Sequence, residues 1–269
     1  MDPLSFVSLF LQTKCKGQLL GRAATAFCVA KDSQHYLITN WHVLSGRHPE
    51  TNQPLSDTAG LPDELVVAYH RTVVKDGENL TGWCGVSEPL LDGKGKPRWL
   101  EHPMGAKVDV AALPVTASGE VVFHPLPLEL ANTNLFAGVG ETVSIIGFPL
   151  GLTGGALLPI WKTGHIASEP EADFEGLPVF LVDATTRDGM SGSPVVRRFG
   201  GFGYRNRSGF EMIASSTISA GRSDLTRFMG VYASRLDPDR AEIGMVWKPQ
   251  TIDETLAAGK VRREDSVSS

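Results

Sequence analysis

The sequence predicts an all-β chain of the barrel or sandwich type, with a single helix near its end. Two observations carry that expectation. Short segments rich in Val, Ile, Thr, Tyr and Phe recur along the chain, each bounded by Gly, Pro, Asn or Asp. The apolar fraction of 42% with 20% charged residues is that of a globular chain with a core to bury.

Taken in order, Met1–Leu11 has a short apolar stretch but carries Asp2 where a signal peptide needs basic residues, and reads as a packed leader or short helix. Strands are expected at Ala24–Ala30, His35–Thr39, Glu64–Val74, Val108–Pro114 and Glu141–Gly147. Further strands are expected at Leu157–Ser168, Pro178–Val182, Pro194–Arg198, Phe210–Thr217 and Phe228–Ser234. Gln250–Ala258 reads as the helix, with Thr251 or Asp253 to cap its start and Gly259 to end it. Ser144–Trp161 is free of charge and as long as a membrane span, yet Gly147, Pro149, Gly151, Gly154, Gly155 and Pro159 break it. Strand, Gly-rich loop and strand explain it better, so no membrane segment is expected. Two stretches, 45–106 and 199–227, are dense in turn signals and read as long surface loops, the second with a hairpin.

The chemistry concentrates in three places. Gly189-Met190-Ser191-Gly192-Ser193-Pro194 follows an apolar strand. A serine on a sharp Gly-flanked turn presents its hydroxyl and nearby backbone N–H groups to one carbonyl, as acyl transfer requires. Alone, such a run is also an ordinary turn. Upstream, Leu37-Ile38-Thr39-Asn40-Trp41-His42-Val43 runs a β-rich segment into a histidine. Between them, Val108-Asp109-Val110-Ala111-Ala112-Leu113 embeds a carboxylate in apolar residues, where a buried charge needs a partner. His, Asp and Ser in three such contexts are far more specific together than singly.

These residues resemble the trypsin-like serine peptidases, and most nearly their disulfide-free bacterial branch of HtrA-like proteases. Ile146-Gly147-Phe148-Pro149-Leu150-Gly151 and Phe228-Met229-Gly230-Val231-Tyr232 extend the resemblance over residues 21 to 258. The resemblance implies two six-stranded Greek-key β-barrels packed face to face, with a C-terminal helix. It implies His42 as general base, Asp109 as its orienter and Ser191 as nucleophile, with the N–H groups of Gly189 and Ser191 as oxyanion donors. Ser193 competes for the nucleophile's role, but the family pattern selects Ser191. Asp183 and Asp188 fall in the loop that feeds the nucleophile turn. Thr185, six residues before Ser191, is expected at the floor of the primary specificity pocket, with Tyr232, Ala233 and Ser234 along one wall. No carboxylate stands there, so small or medium apolar or polar residues are expected before the scissile bond rather than Lys or Arg.

One peptidase domain is expected to fill all 269 residues, without a PDZ-like module. The first barrel is expected over about 18–125, the second over about 138–247, the helix over about 250–259 and a solvated tail over 260–269. Met190 stands where the secreted enzymes carry an aspartate that pairs with a newly cut N-terminus. A methionine cannot make that ion pair, so regulation by a partner or ligand is expected in place of activating cleavage. The three cysteines, Cys15, Cys28 and Cys84, leave at least one unpaired, and Cys28 reads as an inert core thiol. Cytoplasmic localisation is expected. A net charge of −5 argues against a nucleic-acid partner. His35, His48, His70, His102, His124 and His165 lack metal-ligand spacing, so no metal or cofactor is expected. The partners expected are a protein or peptide substrate and a protein regulator. A catalytically silent protease-fold binding module is the alternative. A small-ester hydrolase of the α/β type fits less well, since there the order is Ser, acid, His.

Overall fold

The computed structural model describes residues 1–199, 203–212, 225–237 and 241–258. Asp2 caps a short 3₁₀ turn, Pro3–Phe6, by accepting from the Leu4 N–H at 3.0 Å. The first half then runs β1 (Ser8–Cys15), β2 (Gln18–Lys31), β3 (Gln34–Thr39), helix α1 (Trp41–Ser45), β4 (Glu64–Lys75), β5 (Glu78–Pro89), β6 (Leu100–Glu101), β7 (Ala111–Pro114) and β8 (Val121–Val122). The second half comprises β9 (Thr142–Gly147), β10 (Ile160–Ile166), β11 (Val179–Asp183), β12 (Pro194–Arg198), the hairpin β13 (Gly203–Asn206) and β14 (Gly209–Met212), β15 (Thr226–Asp237), β16 (Ala241–Trp247) and helix α2 (Gln250–Ala258).

Three hairpins of the first half close through two-residue turns at Lys16-Gly17, Asp32-Ser33 and Asp76-Gly77. Both central residues of each have positive φ, from 50° to 82°. Such turns match the right-handed twist of the strands they join. The strands of this half share one sheet in the order β5-β4-β1-β2-β3-β7-β6, with β8 on β4, all antiparallel. In the second half β10-β11-β16-β15-β12-β9 form a closed six-stranded barrel.

Period-two alternation on β2 and β3 assigns their two faces to two different cores. Ala24, Ala26 and Leu37 point into the first half with Leu9, Leu11, Trp41, Leu65, Tyr69 and Leu113. Phe27, Val29 and Ile38 point the other way, into a cluster shared with Ile146, Val196, Phe228, Val231 and Trp247 of the second half. Phe27 and Phe228 meet edge to face across it, with ring centroids 5.7 Å apart. Helix α2 adds Ile252 and Leu256 to the same cluster, and His102 of the first half donates to Glu254 at 2.6 Å. That shared core joins a face of the first half's sheet to the second half.

Several expectations change in detail. Residues 8–11, expected in a leader or short helix, open β1 instead, because the buried Leu9 and Leu11 belong to the first core. Stretch 45–106 is not loop throughout: β5 pairs residue by residue with β4, and Asp76-Gly77 is the turn signal that betrays it. Strand β16, which pairs with β11 and β15, lies outside the expected strands. Neither His42 nor Asp109 lies in a strand. His42 sits in α1, and Asp109 precedes β7 because its groups bond to α1 instead of a ladder. The hairpin expected within 199–227 is β13–β14, while residues 213–224 lie outside the described residues. Thr251 does not cap α2, since its hydroxyl donates to the Lys248 carbonyl at 2.8 Å. Gly259 and the tail after it lie outside the described residues. Among the described residues, no helix is long and apolar enough to cross a membrane.

Candidate active site

Helix α1 is about one and a half turns long, and His42 on it lines the cleft. Asn40 holds the N-cap position, and Gly46 ends the helix at φ 65°, its N–H donating to the His42 carbonyl at 2.9 Å. A Cβ on Gly46 would lie 2.3 Å from Pro62 Cδ, so the turn requires glycine. The Asn40 side-chain amide donates to the Asp109 carbonyl at 2.7 Å, tying β3 to the segment that carries the carboxylate.

Asp109 receives His42 twice. Its Oδ1 accepts from the His42 backbone N–H at 2.9 Å and its Oδ2 lies 2.7 Å from Nδ1. A carboxylate only accepts, so Nδ1 carries the proton and Nε2 is left as the basic atom of the neutral ring. The carboxylate is 8% exposed and the imidazole 18%, which places the pair at the cleft wall.

The Gly189–Ser193 turn is held from both halves. Thr25 on β2 donates its N–H to the Ser191 carbonyl at 2.9 Å and its hydroxyl to the Gly189 carbonyl at 2.7 Å. The same hydroxyl accepts from the Phe148 N–H at 3.2 Å. Gly192 donates to the Tyr232 carbonyl, and Ser193 to that of Met190. Met190 is fully buried in the barrel core. Gly189 has φ 96°, and a Cβ there would lie 2.2 Å from the Phe148 carbonyl oxygen. Among the described residues, nothing accepts from the N–H groups of Gly189 and Ser191, and both residues line the cavity beside His42.

The Ser191 hydroxyl donates to the Ala233 carbonyl at 2.9 Å and is half-buried at the cleft. Among the described residues, no hydrogen bond joins it to His42. Ser193 is fully buried and its Oγ has no partner; a Cβ on Gly147 would stand 2.0 Å from it. A cavity of about 330 Å³ opens against His42, Gly189 and Ser191. It is bounded by the first half and by Leu150, and contains none of Thr185, Tyr232, Ala233 and Ser234. Thr185 and Ser234 are exposed, whereas Tyr232 and Ala233 are buried. The Tyr232 phenol bonds the Thr186 hydroxyl, and burial pushes its pKa up to about 12. Asp183 is exposed on β11, and Asp188 is exposed at the cavity.

Thr25 and Asn40 were not singled out from sequence. Asn40 stands within the His42 motif and Thr25 in the strand expected over Ala24–Ala30, yet only their contacts across 69 and 164 residues reveal what they hold.

No curated protein matches the chain. Solved structures that match include the Rv3671c protease of M. tuberculosis. Its active form is 14% identical over 96% of this chain and 83% of that one, with a TM-score of 0.47. Its inactive form is 16% identical over 94% of this chain and 89% of that one, with a TM-score of 0.42. The family model described as the trypsin-like peptidase domain matches residues 24–201, which span His42, Asp109 and Ser191. With that match over more than half of its length, the chain belongs to the trypsin-like peptidase family.

Proposed function

We propose that the protein is a serine endopeptidase whose single domain hydrolyses peptide bonds through an acyl-enzyme on Ser191. The observation that carries this reading is the His42–Asp109 pair, 2.7 Å apart, beside a serine flanked by two unengaged backbone N–H groups. Ser191 Oγ leaves the Ala233 carbonyl, gives its proton to His42 Nε2 and attacks the substrate carbonyl. The Gly189 and Ser191 N–H groups bind the oxyanion as it forms. His42 then protonates the departing amine, and water repeats the sequence on the acyl-enzyme. Asp109 keeps the imidazole in its working tautomer and stabilises the imidazolium.

Thr25, Gly192 and Met190 hold the oxyanion turn by packing and hydrogen bonds. Regulation by a partner or ligand therefore acts best on the Ser191 side chain or on access to the cleft. The Ser191–Ala233 hydrogen bond is the one feature that favours the silent binding module. A fluorophosphonate probe separates the two readings. The peptidase reading expects labelling that Ser191→Ala abolishes and Ser193→Ala retains. An unlabelled wild-type protein, or labelling that follows Ser193, refutes it.

A further inference from the structure

A peptide crossing Ser191 presents its acyl half to one side and its leaving half to the other. The family resemblance sets the residue before the scissile bond, in the acyl half, against β15 at Tyr232, Ala233 and Ser234. The space beneath that strand is filled. Tyr232 is 2% exposed, its hydroxyl is bonded to buried Thr186, and Gly244 is bare because a Cβ there would lie 2.5 Å from the tyrosine ring. Little depth is left for a side chain on that side.

The opposite side is open. The cavity of about 330 Å³ is walled by Leu20, Ala23, Val43, Leu55 and Pro62, with Leu150 at its lip beside Gly189. Its size and this apolar wall suit a bulky apolar group, while Thr13 and Ser56 line the remainder. Leu150 is 64% exposed and sits at φ 52°, a left-handed conformation unfavourable to leucine. Its N–H donates to the Asp188 carbonyl at 2.5 Å. The exposed Leu150 side chain stands at the mouth of the cavity, where an occupant would meet it. Asp188 at the same cavity disfavours an acidic occupant.

We infer that this cavity takes a large apolar side chain from the leaving half of the substrate, within two residues of the scissile bond. The main sequence selectivity of the enzyme lies there and not at the residue before the bond. The inference rests on the peptidase reading of Ser191 and His42.

The test uses quenched fluorescent peptides with one common acyl half and Leu, Phe, Gly or Glu in the leaving half, next to the p-nitrophenyl ester of that acyl half. Leu and Phe peptides are expected to exceed the Gly peptide in kcat/KM by about tenfold or more, the scale of apolar pocket discrimination. The Glu peptide falls below Gly. Ala23→Phe, which fills the cavity, brings the Leu-to-Gly ratio close to one. Leu150→Asn lowers the ratio without lowering Tm, since asparagine tolerates that backbone. Binding of the same peptides to Ser191→Ala protein, by fluorescence anisotropy, reads the cavity without turnover. There the Leu peptide is expected to bind about tenfold tighter than Gly. Equal binding and a flat leaving-half profile overturn the inference. A wild-type protein that hydrolyses neither ester nor peptide yet keeps the binding preference sinks the peptidase reading alone.

Discussion

Acid should weaken this fold through His70, and the structure supplies the size of the effect. The ring is 1% exposed on β4, 3.8 Å from Trp83, 5.3 Å from Phe6 and 4.9 Å from His124, measured between ring centroids. Its Nε2 donates to the Phe6 carbonyl at 3.0 Å, which leaves Nδ1 buried with no partner. A second proton would turn Nδ1 into an unsatisfied buried donor beside another histidine. Burial, and then the neighbouring His124, push the His70 pKa down from 6.5 to about 4. Between these values the unfolded chain binds a proton that the folded chain refuses, so stability falls as pH falls. Linkage gives a loss of about 1.4 kcal/mol by pH 5.5 and about 2.5 kcal/mol by pH 4.5. For a chain of this size that lowers Tm by roughly 5–8 °C at the lower pH. His124, also lowered by burial, adds a loss of the same sign. His70→Phe keeps a ring in the stack and removes the titration. Thermal or urea unfolding of both proteins at pH 7.5, 5.5 and 4.5 isolates the term, since the carboxylates they share cancel in the difference. The wild type should lose its advantage steadily, or fall below the variant, as pH drops. Parallel loss in both proteins would refute the reasoning.

Four further outcomes are expected. Asp109→Asn should lower kcat by about 10⁴ with little change in KM, the size seen in the chymotrypsin-type triad, and steady-state kinetics on a peptide substrate checks it. Thr25→Val keeps shape but removes the hydroxyl that bonds Gly189 and Phe148; kcat should drop while Tm falls by a few degrees, for a loss of about 1–3 kcal/mol. Glu88 is fully buried and accepts from Tyr69, Thr116 and Ala117, so Glu88→Ala should cost about 3–5 kcal/mol in urea unfolding by stranding those donors. Cys28, whose thiol burial pushes up to about 12, should resist a thiol reagent in the native protein and react on unfolding, as mass spectrometry would read.

The local chemistry of the chain was legible wherever it is written in contiguous residues. The β-rich runs around Phe27, Ile38, Val182 and Val195, the glycines of the Ser191 turn and the helix at Gln250–Ala258 all declare themselves by pattern. The fold class and the identities of His42, Asp109 and Ser191 as candidate residues follow from such runs. Strand β5 was obscured because Gly82 and Gly85 interrupt its alternation, although Asp76-Gly77 marked its turn. The rest depends on contacts between residues far apart in the chain, which no local pattern encodes. Only the packing of the two halves brings the Thr25 hydroxyl to Gly189, and only the folding of the second half on itself brings the Ser191 hydroxyl to Ala233 and the Tyr232 phenol to Thr186. Thr185 is exposed while the neighbouring Thr186 is buried against Tyr232, a difference that the residue pattern does not encode. A one-residue step at the end of a strand reverses the direction of a side chain, so the shape of the cleft belongs to tertiary structure.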